Sequence, residues 1–451
     1  MSSPVVDTPE PQGATTFQAD WKSLSAMLIL QAQNVFNTKI TQFTLIGLAG
    51  VIAGKMLKSA EGTLAYGLLK NYEQVITGIS SVAFVLIPPL GGWMADRFSK
   101  RSVLLWCLWT QAFALTWIAV CLYFRQIWLA TAGFFIIESQ AAVVNPAKMG
   151  ICKELVGSAG LTKAVGVMQT LIMLSIIVGS IVGGQAFAAL NHQMEAWQAG
   201  VYLITALLAA STIQFVFALT IRRTPSQSPE PFRINLLWCH FGHIAELMGN
   251  KVLRRAALGI SYFCFVSTVS FLSLILTGKE VHGLTGEAIA QSSIFNGIVG
   301  IGVAMGSLFV AWICRKRVVL DAVPVGALGM AAGLAGAALL DPSSVPAKAS
   351  ELTVAAAPYL VSVGAIGFFA AMFLVPLSAF IQDKADPERR GRVTSTVNVM
   401  NAIAGLLGLG FVSGLRLAHL NSDSIMAVLG AMTLLVGAFI VVILRTSPYR
   451  R

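Results

Sequence analysis

Two ionisable residues stand deep inside apolar stretches of this sequence, Lys39 and Glu138. A charge in hydrocarbon is costly and persists where it binds a ligand, pairs with another charge or moves protons. Asn34, Asn37, Thr38 and Thr41 surround Lys39 and share one helical stripe, with Gln31 at its margin and Lys39 at its edge. Glu138 and Asn145 are seven residues apart and share a helical face, with Ala141 and Ala142 between them. At the helical rise their depths put Lys39 and Glu138 about 10 Å apart along the bundle. The expectation is that the two approach each other, directly or through water, and hold a polar headgroup. A structural ion pair, a lysine reaching to the interface and a proton-coupling role for Glu138 are the other readings of the same residues.

Other chemistry is missing from the sequence. The histidines are His192, His240, His243, His282 and His419, and they form no His-x-x-x-x-Asp or HExxH pattern; no phosphate loop occurs either. Cys107, Cys121, Cys264 and Cys314 lie in apolar runs, Cys152 and Cys239 lie beside them, and no CxxC pair exists. They read as small buried side chains. No catalytic residue, metal or cofactor is expected. Cys239, His240 and His243 fall instead in an amphipathic helix expected from Asn235 to Met248, with Leu236, Leu237, Phe241, Ile244 and Leu247 on the membrane surface.

The elements that position these residues follow from composition. Of 451 residues 56% are hydrophobic and 11% charged, and the mean hydropathy is +0.75. Soluble proteins carry about a quarter charged residues, so a water-soluble enzyme, a nucleic-acid-binding module and a disordered chain are excluded. The net charge of +11 comes from short basic clusters between apolar runs, the pattern of membrane loops. A span needs about 20 apolar residues. Twelve are expected, at 24–52, 74–95, 102–124, 127–146, 163–190, 199–221, 254–277, 288–313, 318–340, 355–381, 393–416 and 424–445. Residues 1–22 and 446–451 read as tails, 23–221 and 254–445 as six-helix bundles, and 222–253 as a linker. The first span is expected to be an uncleaved anchor. With both termini placed in the cytoplasm, the inner segments hold 23 Lys and Arg and the outer segments 7, which orients the chain in a cell inner membrane. Duplicated halves joined by a linker are the pattern of a transporter.

Between the second and third spans runs Gly92-Trp93-Met94-Ala95-Asp96-Arg97-Phe98-Ser99-Lys100-Arg101. It resembles the G-x-x-x-D-R-x-G-R-R loop of the major facilitator superfamily, with serine at the second glycine. Gly91 and Gly92 permit close helix approach, and Asp96 can accept from the amides at a helix N-terminus. The resemblance implies an all-α fold of twelve helices in two pseudo-symmetric bundles. It also implies a gating latch of Gly92, Asp96, Arg97, Lys100 and Arg101 against the start of span eleven, with Arg390 and Arg392.

Two further segments are Val144-Asn145-Pro146-Ala147-Lys148-Met149-Gly150-Ile151 and Val375-Pro376-Leu377, the latter followed by Arg390-Gly391-Arg392-Val393. They are similar to the lysophospholipid transporter branch of that superfamily. The branch's F-x-D-N segment reads Phe36-Asn37-Thr38-Lys39 here, and Ser270 stands where it tends to have arginine. The resemblance implies a carrier delivering lysophospholipid or a related amphiphile to the inner leaflet. Besides the residues of spans one and four, Lys148 and the polar residues Ser270 of span seven and Asn296 of span eight are the candidate substrate-binding residues. Its implied companions are membrane lipids and a cytoplasmic acyltransferase; no nucleic acid is expected, and the chain is read as a monomer. A small-molecule or drug exporter of the same superfamily is the alternative, and a membrane acyl-transfer enzyme is disfavoured by the missing motifs.

Overall fold

The computed structural model describes residues 20–56, 63–223, 239–313, 320–384 and 390–446. Every regular element among them is helical. Eleven helices are long and apolar enough to cross a membrane, and one bent pair supplies the twelfth span. The chain is therefore a multi-pass membrane protein.

Span one is Trp21–Met56. Its 36 residues extend about 54 Å at the helical rise, well beyond the hydrocarbon. Asp20 starts it, accepting from the Ser23 amide at 2.9 Å and the Ser23 hydroxyl at 2.7 Å. These bonds hold the Asp20 carboxyl below the usual aspartate range. Span two, taken from the sequence as one helix over 74–95, is instead two: Tyr72–Leu86 and Pro88–Arg97, bent by 45°. Pro88 and Pro89 explain the break, because neither has an N–H to continue the ladder. A short helix, Leu64–Lys70, precedes it and is capped by the Thr63 hydroxyl.

Span three is Lys100–Tyr123. Spans four and five, Ile127–Asn145 and Thr170–Gln193, lie on one unbroken helical path, Ile127–Gln193. Arg125 and Glu195 flank the two ends of that path and pair at 2.7 Å, so it turns back between the spans. Span six is Ala196–Thr220. The second half comprises Lys251–His282, Gly286–Ile313, Ala322–Leu339, Ala357–Lys384, Arg390–Leu417 and Ser422–Thr446 as spans seven to twelve.

The linker carries a helix, Cys239–Gly249; Leu236 and Leu237 lie outside the described residues. Its Ile244, Leu247 and Met248 pack on Leu253, Ile260, Val397 and Met400. That apolar face is taken up by the second half; the Phe241 side chain lies outside those described. Asn250 then caps span seven, accepting from the amides of Val252 and Leu253 at 3.1 and 3.2 Å.

Odd spans begin and even spans end at the end of the bundle that holds residues 97–100, termed the motif end. The packing differs sharply between the two ends. At the opposite end Phe43, Tyr72, Phe134 and Phe187 of the first half share one cluster with Ile275 and Ile289 of the second, and Phe271 and Leu284 pack against it. At the motif end the clusters are separate: Met27, Val103, Leu104 and Met168 belong to one, and Leu253, Ile260 and Val397 to the other. Glycine makes the closed end possible. A Cβ at Gly184 would fall 2.9 Å from the Ile289 carbonyl oxygen, so span eight seats directly on span five.

Candidate functional site

Span one is surrounded, and its polar residues divide by direction. Gln33 donates to the Ala210 carbonyl at 2.5 Å and Asn37 to the Ser211 hydroxyl at 3.0 Å. That face is glued to span six, and Asn37 is fully buried there. Phe36 and Ile40 meet Gly179 and Gly183 of span five. Thr38 and Thr41 return their hydroxyls to the carbonyls of Asn34 and Asn37 at 3.0 and 2.8 Å. Such back-bonding satisfies a buried hydroxyl within its own helix.

Lys39 sits near the middle of span one, against the seam between the halves. Its ammonium donates to Gln42 Oε1 at 2.8 Å and lies 5.9 Å from the ring centroid of Phe271 in span seven. Phe271 in turn meets Phe43 edge to face at 6.3 Å. The cation thus rests under the shared aromatic core of the closed end and touches both halves. Glu138 in span four is buried. Ser80 of span two, whose hydroxyl donates to the Ile76 carbonyl at 3.1 Å, lies close to it, and Lys39 is within electrostatic reach. The ion pairs among the described residues do not join the two directly. Opposite charges are therefore near each other without pairing, and the ammonium is held by the Gln42 amide oxygen.

Several polar atoms are buried without a protein partner: Gln31 Oε1 and Asn34 Oδ1 on span one, Ser139 Oγ and Gln140 Oε1 beside Glu138, and Ser270 Oγ on span seven. Buried acceptors left unpaired are uncommon and are what a polar ligand or water would fill. Ser270 is thus a buried residue with an unspent hydroxyl. Asn296 spends its amide on the Ser292 carbonyl at 2.9 Å. Asn145 and Lys148 are half-buried at the motif end of span four, about 10 Å and more from Glu138 by helical rise.

In the expected latch, Gly91 is the glycine that permits close approach. A Cβ there would lie 2.8 Å from the Val143 Cα, while Gly92 has open space around it. Arg97 stacks over Trp93 at 5.6 Å and Phe98 at 6.0 Å. Arg101 donates to the Leu219 carbonyl at 2.9 Å, tying span three to span six, and Lys100 is buried. The side chains of Asp96, Arg390 and Arg392 lie outside those described.

Sequence reasoning missed a second charged site. Glu73 of span two and Lys279 of span seven form an ion pair at the closed end. Lys279 counts in the sequence as a loop cation, and Glu73 precedes the span expected to start at 74. The available signal was an acid at the first turn of a span.

A membrane bundle of two halves with a polar centre on their seam is the architecture of a transporter rather than an enzyme. The sequence matches the Major Facilitator Superfamily over residues 40–409, and the chain belongs to that family. Relatives named lysophospholipid transporter LplT include one from Photorhabdus laumondii, 25% identical over 76% of this chain and 79% of that one. Another, from Cronobacter sakazakii, is 24% identical over 81% of this chain and 88% of its own. Among solved structures, a POT family transporter bound to 5-aminolevulinic acid superposes with TM-score 0.64 at 13% identity, covering 92% of this chain and 95% of that one. The nucleoside transporter NupG gives 0.61 at 15% identity over 91% and 99%. A bacterial homologue of the human lysosomal transporter Spinster, in an inward-facing conformation, gives 0.57 at 14% identity over 96% of each chain.

Proposed function

We propose that this transporter carries lysophospholipid, or a closely related single-chain amphiphile, to the cytoplasmic leaflet of an inner membrane by alternating access. The observation that carries this reading is the Lys39–Glu138 arrangement: a half-buried Lys39 on the seam and a buried Glu138 within its electrostatic reach, not joined to each other. Such a pair suits a headgroup with a phosphate and a cationic arm. The phosphate meets Lys39 beside Gln42, and the cation meets Glu138 beside Ser80 and Ser139. The second half offers Ser270 and otherwise aromatic and aliphatic side chains such as Phe265 and Phe271, which suits the acyl chain. The LplT relatives give the same substrate class. Basic residues concentrate at the motif end, so this end faces the cytoplasm and both termini lie there. The separated clusters at that end make the conformation inward-open. In the outward-open state the motif end closes, and Asp96 with Arg97, Arg390 and Arg392 forms the latch. A cytoplasmic acyltransferase takes the delivered lipid, and a single chain is the working unit.

The test is uptake of radiolabelled lysophosphatidylethanolamine by spheroplasts, run beside an efflux assay for small cationic drugs. Uptake that depends on the protein supports the reading. Efflux without lipid uptake replaces it with the exporter of the same family.

A further inference from the structure

The ion pair at the closed end differs in kind from the pairs around it. Arg125–Glu195 and Lys348–Glu351 are largely exposed, but the Lys279 and Glu73 side chains retain only 10% and 1% of their exposure. Exposed pairs contribute little. A buried one must be satisfied, because removing one partner strands a charge. Lys279 also donates to the Lys70 carbonyl, so a single ammonium binds two points of the first half from the second. Lys70 and Arg416 are the other charges near it, and both repel it. Of these charges Glu73 is the one that attracts Lys279.

The position of the pair explains its leverage. Phe271, Ile275 and Lys279 are spaced four apart and form one face of span seven. Phe271 and Ile275 enter the first half's aromatic core, and Lys279 caps the row. Beside it, Ser413 of span eleven donates to Gln74 of span two at 3.0 Å. Leu284 packs on Gly54.

We propose that Glu73–Lys279 is the latch that holds this end of the transporter shut. The pair is broken and hydrated when the end opens, and re-forms when it closes. This rests on the two-half architecture alone and not on the identity of the substrate.

The experiment reads the labelling rate of a Leu284→Cys reporter by a water-soluble maleimide on purified protein in detergent, with the native chain as background. Glu73→Gln strands Lys279 against Lys70 and Arg416, and Lys279→Met strands Glu73. Each is expected to speed labelling about tenfold or more, as the stranded ion is hydrated only in the open state. The double variant Glu73→Gln/Lys279→Met strands nothing, and its rate is expected to fall back below that of either single. Lys279→Arg keeps the charge and is expected to label near the native rate. Native rates in both singles, or a double variant labelling as fast as the singles, overturn the latch. If the single variants do not fold, a Lys279→Arg chain labelling tenfold faster than native overturns it as well.

Discussion

Replacing Lys39 by glutamine removes one charge from the seam and leaves the length of the side chain roughly in place. The ammonium's bond to Gln42 at 2.8 Å and its position 5.9 Å from the Phe271 ring are the interactions lost in the unloaded protein. A hydrogen bond to a charged group contributes about 1.5–3 kcal/mol, and a desolvated cation–π contact about 2 kcal/mol. Against these stands the relief of no longer burying a cation, so protein abundance is expected to change little. Substrate recognition has no such offset. A phosphate at this point loses the Lys39 cation, and a charge-assisted bond of about 3 kcal/mol corresponds to roughly a hundredfold in affinity. The assay is initial-rate uptake of labelled lysophosphatidylethanolamine in spheroplasts, normalised to protein in the membrane. Lys39→Gln is expected to lower normalised uptake by about that factor, and Lys39→Arg to retain much of it. Uptake falling only in step with abundance refutes the reasoning and makes Lys39 a structural cation.

Gly91→Val is expected to destabilise by about 1–3 kcal/mol through collision with the Val143 backbone, while Gly92→Ala, with open space around it, leaves the melting temperature in detergent nearly unchanged. Asn37→Ala removes the bond to Ser211 and is expected to cost about 0.6–2 kcal/mol of helix association; thermal unfolding falls while the KM for lipid stays level, and a raised KM with full stability would place Asn37 in the cavity instead. Asp20→Ala is expected to cost about 1 kcal/mol as a lost cap. Because the folded carboxyl is held below its ordinary value by Ser23, this contribution is present near neutrality and is lost as pH falls through the folded value; melting curves of the native and Asp20→Ala proteins therefore converge in acid.

Much of the bundle was legible because the bilayer imposes one simple demand, some 20 apolar residues per crossing. The demand fixes how many spans exist and says little about their ends. Glu73 and Lys279 were lost in that margin: both stand within a turn of a helix end, where a charged residue ordinarily reads as solvated loop. The direction of a polar side chain was equally hidden. Asn34 and Asn37 sit on one stripe in the sequence and both keep an unpaired side-chain oxygen, yet only the neighbours decide that the Asn37 amide is spent on Ser211 of span six. The break at Pro88 was open to inspection, since two successive prolines forbid a continuous ladder, but hydropathy averages straight across it. Lys39 and Glu138 were the easiest residues to find, because their cost in hydrocarbon demands a reason.

The shared aromatic core at one end has a thermal consequence. Under the alternating access proposed above, each turnover parts Phe271, Ile275 and Leu284 from Phe43 and Phe187 and wets them, then dries them again. Wetting apolar surface raises heat capacity. The enthalpy of activation of turnover therefore drifts with temperature, and an Eyring plot of transport bends instead of running straight.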